Sequence, residues 1–104
     1  TFVIHSRKAM LGKFTPKQNL NIPPLKYEMV YKLKEDFKDL EIIINGGITS
    51  PNQIKNHLIK VDGVMIGPYD MAGSLGVPGQ TSHPKVIEAS RAVIDACERF
   101  GKHC

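Results

Sequence analysis

Two short β-branched runs, each ending in glycine and separated by one helix length of amphipathic sequence, constrain this chain more than anything else in it. Ile42-Ile43-Ile44-Asn45 runs into Gly46-Gly47, and Val64-Met65-Ile66 runs into Gly67. An unbroken apolar run, rather than an alternating one, marks a strand buried on both faces, which is the habit of parallel sheets. Between the runs, Ser50-Pro51 supplies a capping hydroxyl and a proline for the first helical position, and Ile54, Leu58 and Val61 supply one apolar face. The spacing predicts a strand over 41–45, a turn at 46–47, a helix from 50 to about 60 and a second strand over 61–67. Parallel neighbours would deliver both glycine ends to one edge. Amides without side-chain bulk can converge there on an anion, and phosphate is the usual guest at that edge of a (β/α) barrel.

The flanking sequence repeats the pattern. Phe2, Val3 and Ile4 lead into His5 as a first strand. From 7 to 25 the composition turns to Lys, Pro, Asn and Gly, predicting a long loop of the kind that carries function. Tyr27, Val30, Tyr31, Leu33, Lys34 and Phe37 recur near a 3.6 period and predict a helix of about three turns. Glycine and proline over 68–82 predict a second loop. Val86, Ile87, Ser90, Val93, Ile94, Cys97 and Phe100 predict one face of a last helix, closed by Gly101. His103-Cys104 reads as the start of a further strand. Strand, helix, strand, helix, strand, helix and stub give an α/β fold: a partial (β/α)8 TIM barrel of about three βα units plus a strand stub.

With 104 residues the chain has room for a single domain and a modest core. A net charge of +4 permits an anionic partner without demanding one. Nothing in the sequence is long and apolar enough to span a bilayer, so no membrane partner and a cytoplasmic setting are the expectation. Cys97 and Cys104 lack zinc or redox spacing and read as a buried small hydrophobe and a chain-end thiol. His57 reads as a helix-surface residue, His83 as a helix-start residue, and Arg7 with Lys8 as a solvated rim. Three βα units leave strand edges and apolar face uncovered, which predicts a homo-oligomer or a complementing chain.

Five motifs in order, His5-Ser6-Arg7-Lys8-Ala9, Pro16-Lys17-Gln18-Asn19, Ile22-Pro23-Pro24-Leu25, Ile44-Asn45-Gly46-Gly47-Ile48 and Asp62-Gly63-Val64-Met65-Ile66-Gly67, closely resemble the flavin-binding barrel of the A-type tRNA-dihydrouridine synthases. The resemblance covers residues 1–67. It implies an FMN cofactor and, as parent reaction, reduction of a uridine in tRNA by reduced FMN. It implies that His5 contacts FMN, that Asn45, Gly46, Gly47 and Gly67 hold its phosphate, and that Lys17 contacts tRNA. Position 68 is Pro where that family has Arg, and position 20 is Leu where it has a second basic residue. The family's catalytic cysteine and a flavin-contacting lysine belong to earlier strands, so catalytic residues stay unassigned here and FMN binding without turnover is the expectation.

Residues 62–104 resemble a different family. Gly67-Pro68-Tyr69-Asp70-Met71, then 73–80 and His83-Pro84, look like the metal-dependent 4-hydroxy-2-oxoacid (pyruvate) aldolases related to citrate lyase. That likeness implies a lyase fragment in which Asp70 binds a divalent metal, Mg or Mn. The two likenesses overlap at Val61-Asp62-Gly63-Val64-Met65-Ile66-Gly67, which suggests one partial-barrel domain joined there as a chimera or fragment. A third alternative is a non-catalytic, self-assembling scaffold.

Overall fold

The computed structural model describes residues 1–16, 18 and 23–104. The elements in order are β1 (Phe2–His5), α1 (Tyr27–Asp36), β2 (Ile42–Asn45), α2 (Pro51–Leu58), β3 (Gly63–Met65), α3 (Pro68–Ser74) and α4 (Pro84–Arg99). The strands form one parallel sheet in the order β1-β2-β3. A parallel bridge from Gly63 to His103 marks where a next strand begins. Gly63 permits that approach, since a Cβ there would stand 2.7 Å from the His103 carbonyl oxygen. Consecutive strand order with a helix after each strand is the wall of a (β/α) barrel. The least dimension, 19 Å, fits one sheet layer and one helix layer.

The core lies between those layers. Ile42, Ile44 and Val64 face Ile54, Leu58, Val86, Val93 and Cys97, all essentially inaccessible. Val3, Ile43 and Gly63 align across the other face of the sheet, as do His5, Asn45 and Met65. On that face Val3 and Met65 remain exposed. At the foot of the sheet the Asp62 carboxylate accepts from the Ile42 N–H at 2.9 Å and pairs with Lys34 Nζ at 2.7 Å. Burial alone would raise the Asp62 pKa, but these hydrogen bonds and the lysine charge outweigh it and hold the carboxyl below its usual range.

The elements largely fall where the spacing predicts them, with three departures. Residues 68–74, expected as loop, form α3. Proline sits at its first position and Met71 and Ala72 are buried against α4, so packing overrides the glycines that follow. The buried face of α4 is Val86, Val93, Ala96 and Cys97, while Ile87, Ile94 and Phe100 flank it, each over two-fifths exposed. His57, expected on a helix surface, is only 3% exposed between α1 and α2. Two tyrosines supply it with a ring contact and a hydrogen bond, which a helical period does not reveal.

Candidate functional site

The loop after β1 folds back over the strand ends. Ser6 is buried, and both its N–H and its hydroxyl donate to the Asn45 carbonyl, at 2.8 and 2.9 Å. Lys26 N–H donates to the Ser6 carbonyl at 2.7 Å, and Arg7 bridges to Leu25 in antiparallel fashion. Leu25 is thereby laid on the glycine turn. Gly46 has φ +114° and Gly47 φ +63°, conformations that suit glycine. A Cβ at 46 would stand 2.7 Å from Ser6 Oγ, and one at 47 would stand 2.5 Å from Leu25 Cδ1. A side chain at either position would have to displace these neighbouring side chains as well as adopt a left-handed backbone, so glycine is favoured at both.

Beside the turn lies an open cavity of about 610 Å³ lined by Arg7, Gly47, Thr49, Tyr69, Asp70 and Ser74, among others. Arg7 is half-buried rather than part of a solvated rim. Its Nε donates to the Pro23 carbonyl at 2.7 Å, which fixes the guanidinium, while its buried Nη1 has no hydrogen-bond partner among the described residues. A buried cationic N–H without an acceptor is costly. Asp70, in the first turn of α3, brings a carboxylate to the same cavity. Its Oδ2 lies 3.3 Å from where a Cβ on Gly67 would be. No ion pair joins Arg7 and Asp70 among the described residues. His5 feels both: burial first, then the Arg7 charge, lowers its pKa, and Asp70 opposes them.

The structure therefore gathers His5, Asn45, Gly46, Gly47, Gly67 and Asp70 at one sheet edge. Of these, Gly47 and Asp70 line the cavity. Lys17 lies outside the described residues. Among the described residues no group of three or more His, Cys, Asp or Glu is placed to hold a metal ion, so Asp70 offers a divalent cation a single carboxylate. Cys97 is inert at neutral pH: burial and a hydrogen-bonded Cys104 push its thiol up to about 12. Two residues escaped sequence reasoning, Arg7 and Tyr27, whose hydroxyl donates to the Gly46 carbonyl at 2.8 Å. Arg7 stands two residues beyond His5, and that spacing was the available signal.

The fold and site define a partial (β/α) barrel with an open cavity at its strand ends, lined by Arg7, Gly47 and Asp70. The model of the Dihydrouridine synthase (Dus) family matches residues 1–99, so the chain belongs to that family. The match runs past residues 62–67, where the sequence places a change of resemblance. Among curated relatives, the tRNA-dihydrouridine(20/20a) synthase of Haemophilus ducreyi is 59% identical over 66 residues, covering 64% of this chain and 20% of that protein. The protein of the same name from Shewanella oneidensis is 56% identical over 102 residues, covering 91% of this chain and 30% of that protein. The chain thus spans less than a third of the length of the relatives it matches. Among solved structures, an HpcH/HpaI aldolase from Desulfitobacterium hafniense superposes with a TM-score of 0.58 at 24% identity, over 97% of this chain and 46% of that one. At that identity the likeness concerns the fold.

Proposed function

We propose that this chain is the phosphate-holding part of an FMN-dependent tRNA-dihydrouridine synthase barrel, whose whole reaction is reduction of a uridine in tRNA. One observation carries the reading: Arg7, whose buried Nη1 has no hydrogen-bond partner among the described residues, lines the same cavity as Gly47. The relatives named for that activity support the substrate class. Bound FMN would supply the hydride. This chain's own residues bind and orient: Gly46 and Gly47 give backbone room for the phosphate, with Asn45 and Gly67 flanking it. Arg7 supplies the charge that Pro68 does not, and His5 stands at the β1 end toward the flavin. Lys17 is assigned to tRNA, and no catalytic residue is assigned. One partial-barrel domain, in a cytoplasmic setting, is completed by a second copy or a complementing chain that covers the face carrying Val3 and Met65. Among the described residues no helix is long and apolar enough to cross a membrane.

The test is an FMN titration of the chain followed by flavin fluorescence, with Arg7→Gln and Gly46→Val as variants. Saturable binding that weakens by about tenfold or more in Arg7→Gln, as expected for a charged hydrogen bond, supports the reading. Binding equal in all three, or none at high micromolar FMN, overturns it.

A further inference from the structure

The glycine turn is held from beneath by a tyrosine that no motif assigns to it. Tyr27 is the first residue of α1, and its ring packs edge-on against the buried His57, centroids 4.5 Å apart and planes at 64°. His57 Nδ1 shares a hydrogen bond of 2.5 Å with the Tyr31 hydroxyl, and Lys60 Nζ stands 4.5 Å over the Tyr31 ring. With its ring fixed this way, Tyr27 places its hydroxyl 2.8 Å from the Gly46 carbonyl oxygen, to which it donates. Burial raises the Tyr27 pKa, so the hydroxyl stays a donor across the physiological range.

A planar trans peptide points its C=O and the next N–H in opposite directions. Anchoring the Gly46 carbonyl toward α1 therefore turns the Gly47 N–H away from α1. Further along the turn, Gln53 Oε1 accepts from Thr49 N–H at 3.0 Å and from Ser50 N–H at 3.3 Å. The Gly47 N–H has no acceptor among the described residues, and Gly47 lines the cavity that Arg7 enters. Peptides between two glycines reorient easily, because neither Cβ resists the change, so this orientation depends on an external hold.

We infer that Tyr27 is the positioning residue of the anion site: its hydroxyl fixes the Gly46–Gly47 peptide so that the Gly47 N–H is offered to a phosphate group in the cavity beside Arg7. The inference rests on the phosphate reading above and is separable from the flavin part of it.

The experiment is a titration of the 15N-labelled chain with inorganic phosphate, reading the Gly47 amide and the binding constant together, and repeated for Tyr27→Phe and Tyr31→Phe. In the wild-type chain the Gly47 proton moves downfield on saturation. Tyr27→Phe abolishes that displacement and weakens phosphate binding about three- to tenfold, the range of one neutral hydrogen bond. Tyr31→Phe removes a hydroxyl from the same cluster but leaves both readouts within about twofold. An unchanged Gly47 response in Tyr27→Phe overturns the inference, as does a wild-type Gly47 amide that ignores phosphate, a result independent of whether the variant folds. Phosphate binding with no FMN binding would overturn the flavin assignment and leave Tyr27 in its place.

Discussion

The two glycine-ended strands look alike in sequence and are built differently. After β2, Gly46 and Gly47 both take positive φ and are enclosed by the Leu25, Ser6 and Tyr27 side chains, so an added side chain would have to displace them. After β3, Gly67 has an ordinary φ of −101°, and the nearest atom to an added Cβ is the end of the Asp70 side chain. A strand running into glycine marks where a parallel sheet turns toward its functional edge. It does not say whether the glycine is demanded by sterics or merely tolerated. The first turn is enclosed and set by its neighbours, whereas the second is open and carries a charge.

Substitution should separate them most strongly. Gly47→Ala adds a Cβ in a left-handed conformation against Leu25, combining backbone strain with overpacking, and is expected to cost about 2–4 kcal/mol. Gly67→Ala meets only a flexible carboxylate and is expected to cost about 0.5 kcal/mol or less. Urea unfolding of the two variants measures both. Equal losses would mean that the enclosure of the first turn is not what holds it.

The layer beneath the enclosed turn gives the next effect. Burial, then the Lys60 charge, lowers the His57 pKa, so the folded chain prefers its imidazole neutral. Below the ordinary imidazole value of about 6.5, the unfolded chain binds the proton that the folded one refuses. Stability therefore falls as pH drops through and below that value, by at most about 1.4 kcal/mol per pH unit from this group, until the lowered folded pKa is reached. His57→Phe should flatten this stretch of the stability–pH curve. An identical curve in the variant would show that the acid sensitivity arises elsewhere.

The parallel strands, α2 with its Ser50-Pro51 start and the convergence of the Gly46-Gly47 and Gly67 ends at one edge follow from periodicity and glycine placement, which are local signals; the place of His5 and Asn45 in the site is what the family resemblance implies. The enclosure does not follow from local signals, because it depends on Leu25 and Tyr27 returning from a distant loop and helix. The burial of His57 is hidden for the same reason, since a helical period cannot show that two tyrosines of α1 cover it. Arg7 was legible as a charge but not as a buried donor, because the Pro23 carbonyl that pins it lies sixteen residues on. The open second end failed differently: Gly73, Gly76, Pro78 and Gly79 read as loop, and tertiary packing of Met71 and Ala72 made its first part helical.

At the open end, the charge of Asp70 can be removed without disturbing the fold. Asp70 is exposed, so solvent and salt screen it, and its neutralisation should raise inorganic phosphate affinity by only about two- to threefold. The gain should shrink further at high salt. A loss of affinity in Asp70→Asn would mean instead that the carboxylate helps hold the ligand.

The smallest effect reports on both ends at once. His5 sits at the end of β1 beside Asn45, where burial and then Arg7 lower its pKa and Asp70 raises it. Asp70→Asn should therefore move the His5 titration further down, and Arg7→Gln should move it up, as read from the imidazole resonances by NMR. In the first variant the remaining cation disfavours the imidazolium unopposed; in the second only burial and the nearby carboxylate remain. Opposite displacements would establish that the enclosed and open ends share one electrostatic site across the strand tips. Displacements of the same sign, or none in Asp70→Asn, would place Asp70 outside that site and leave Arg7 with the glycine turn as the whole of it.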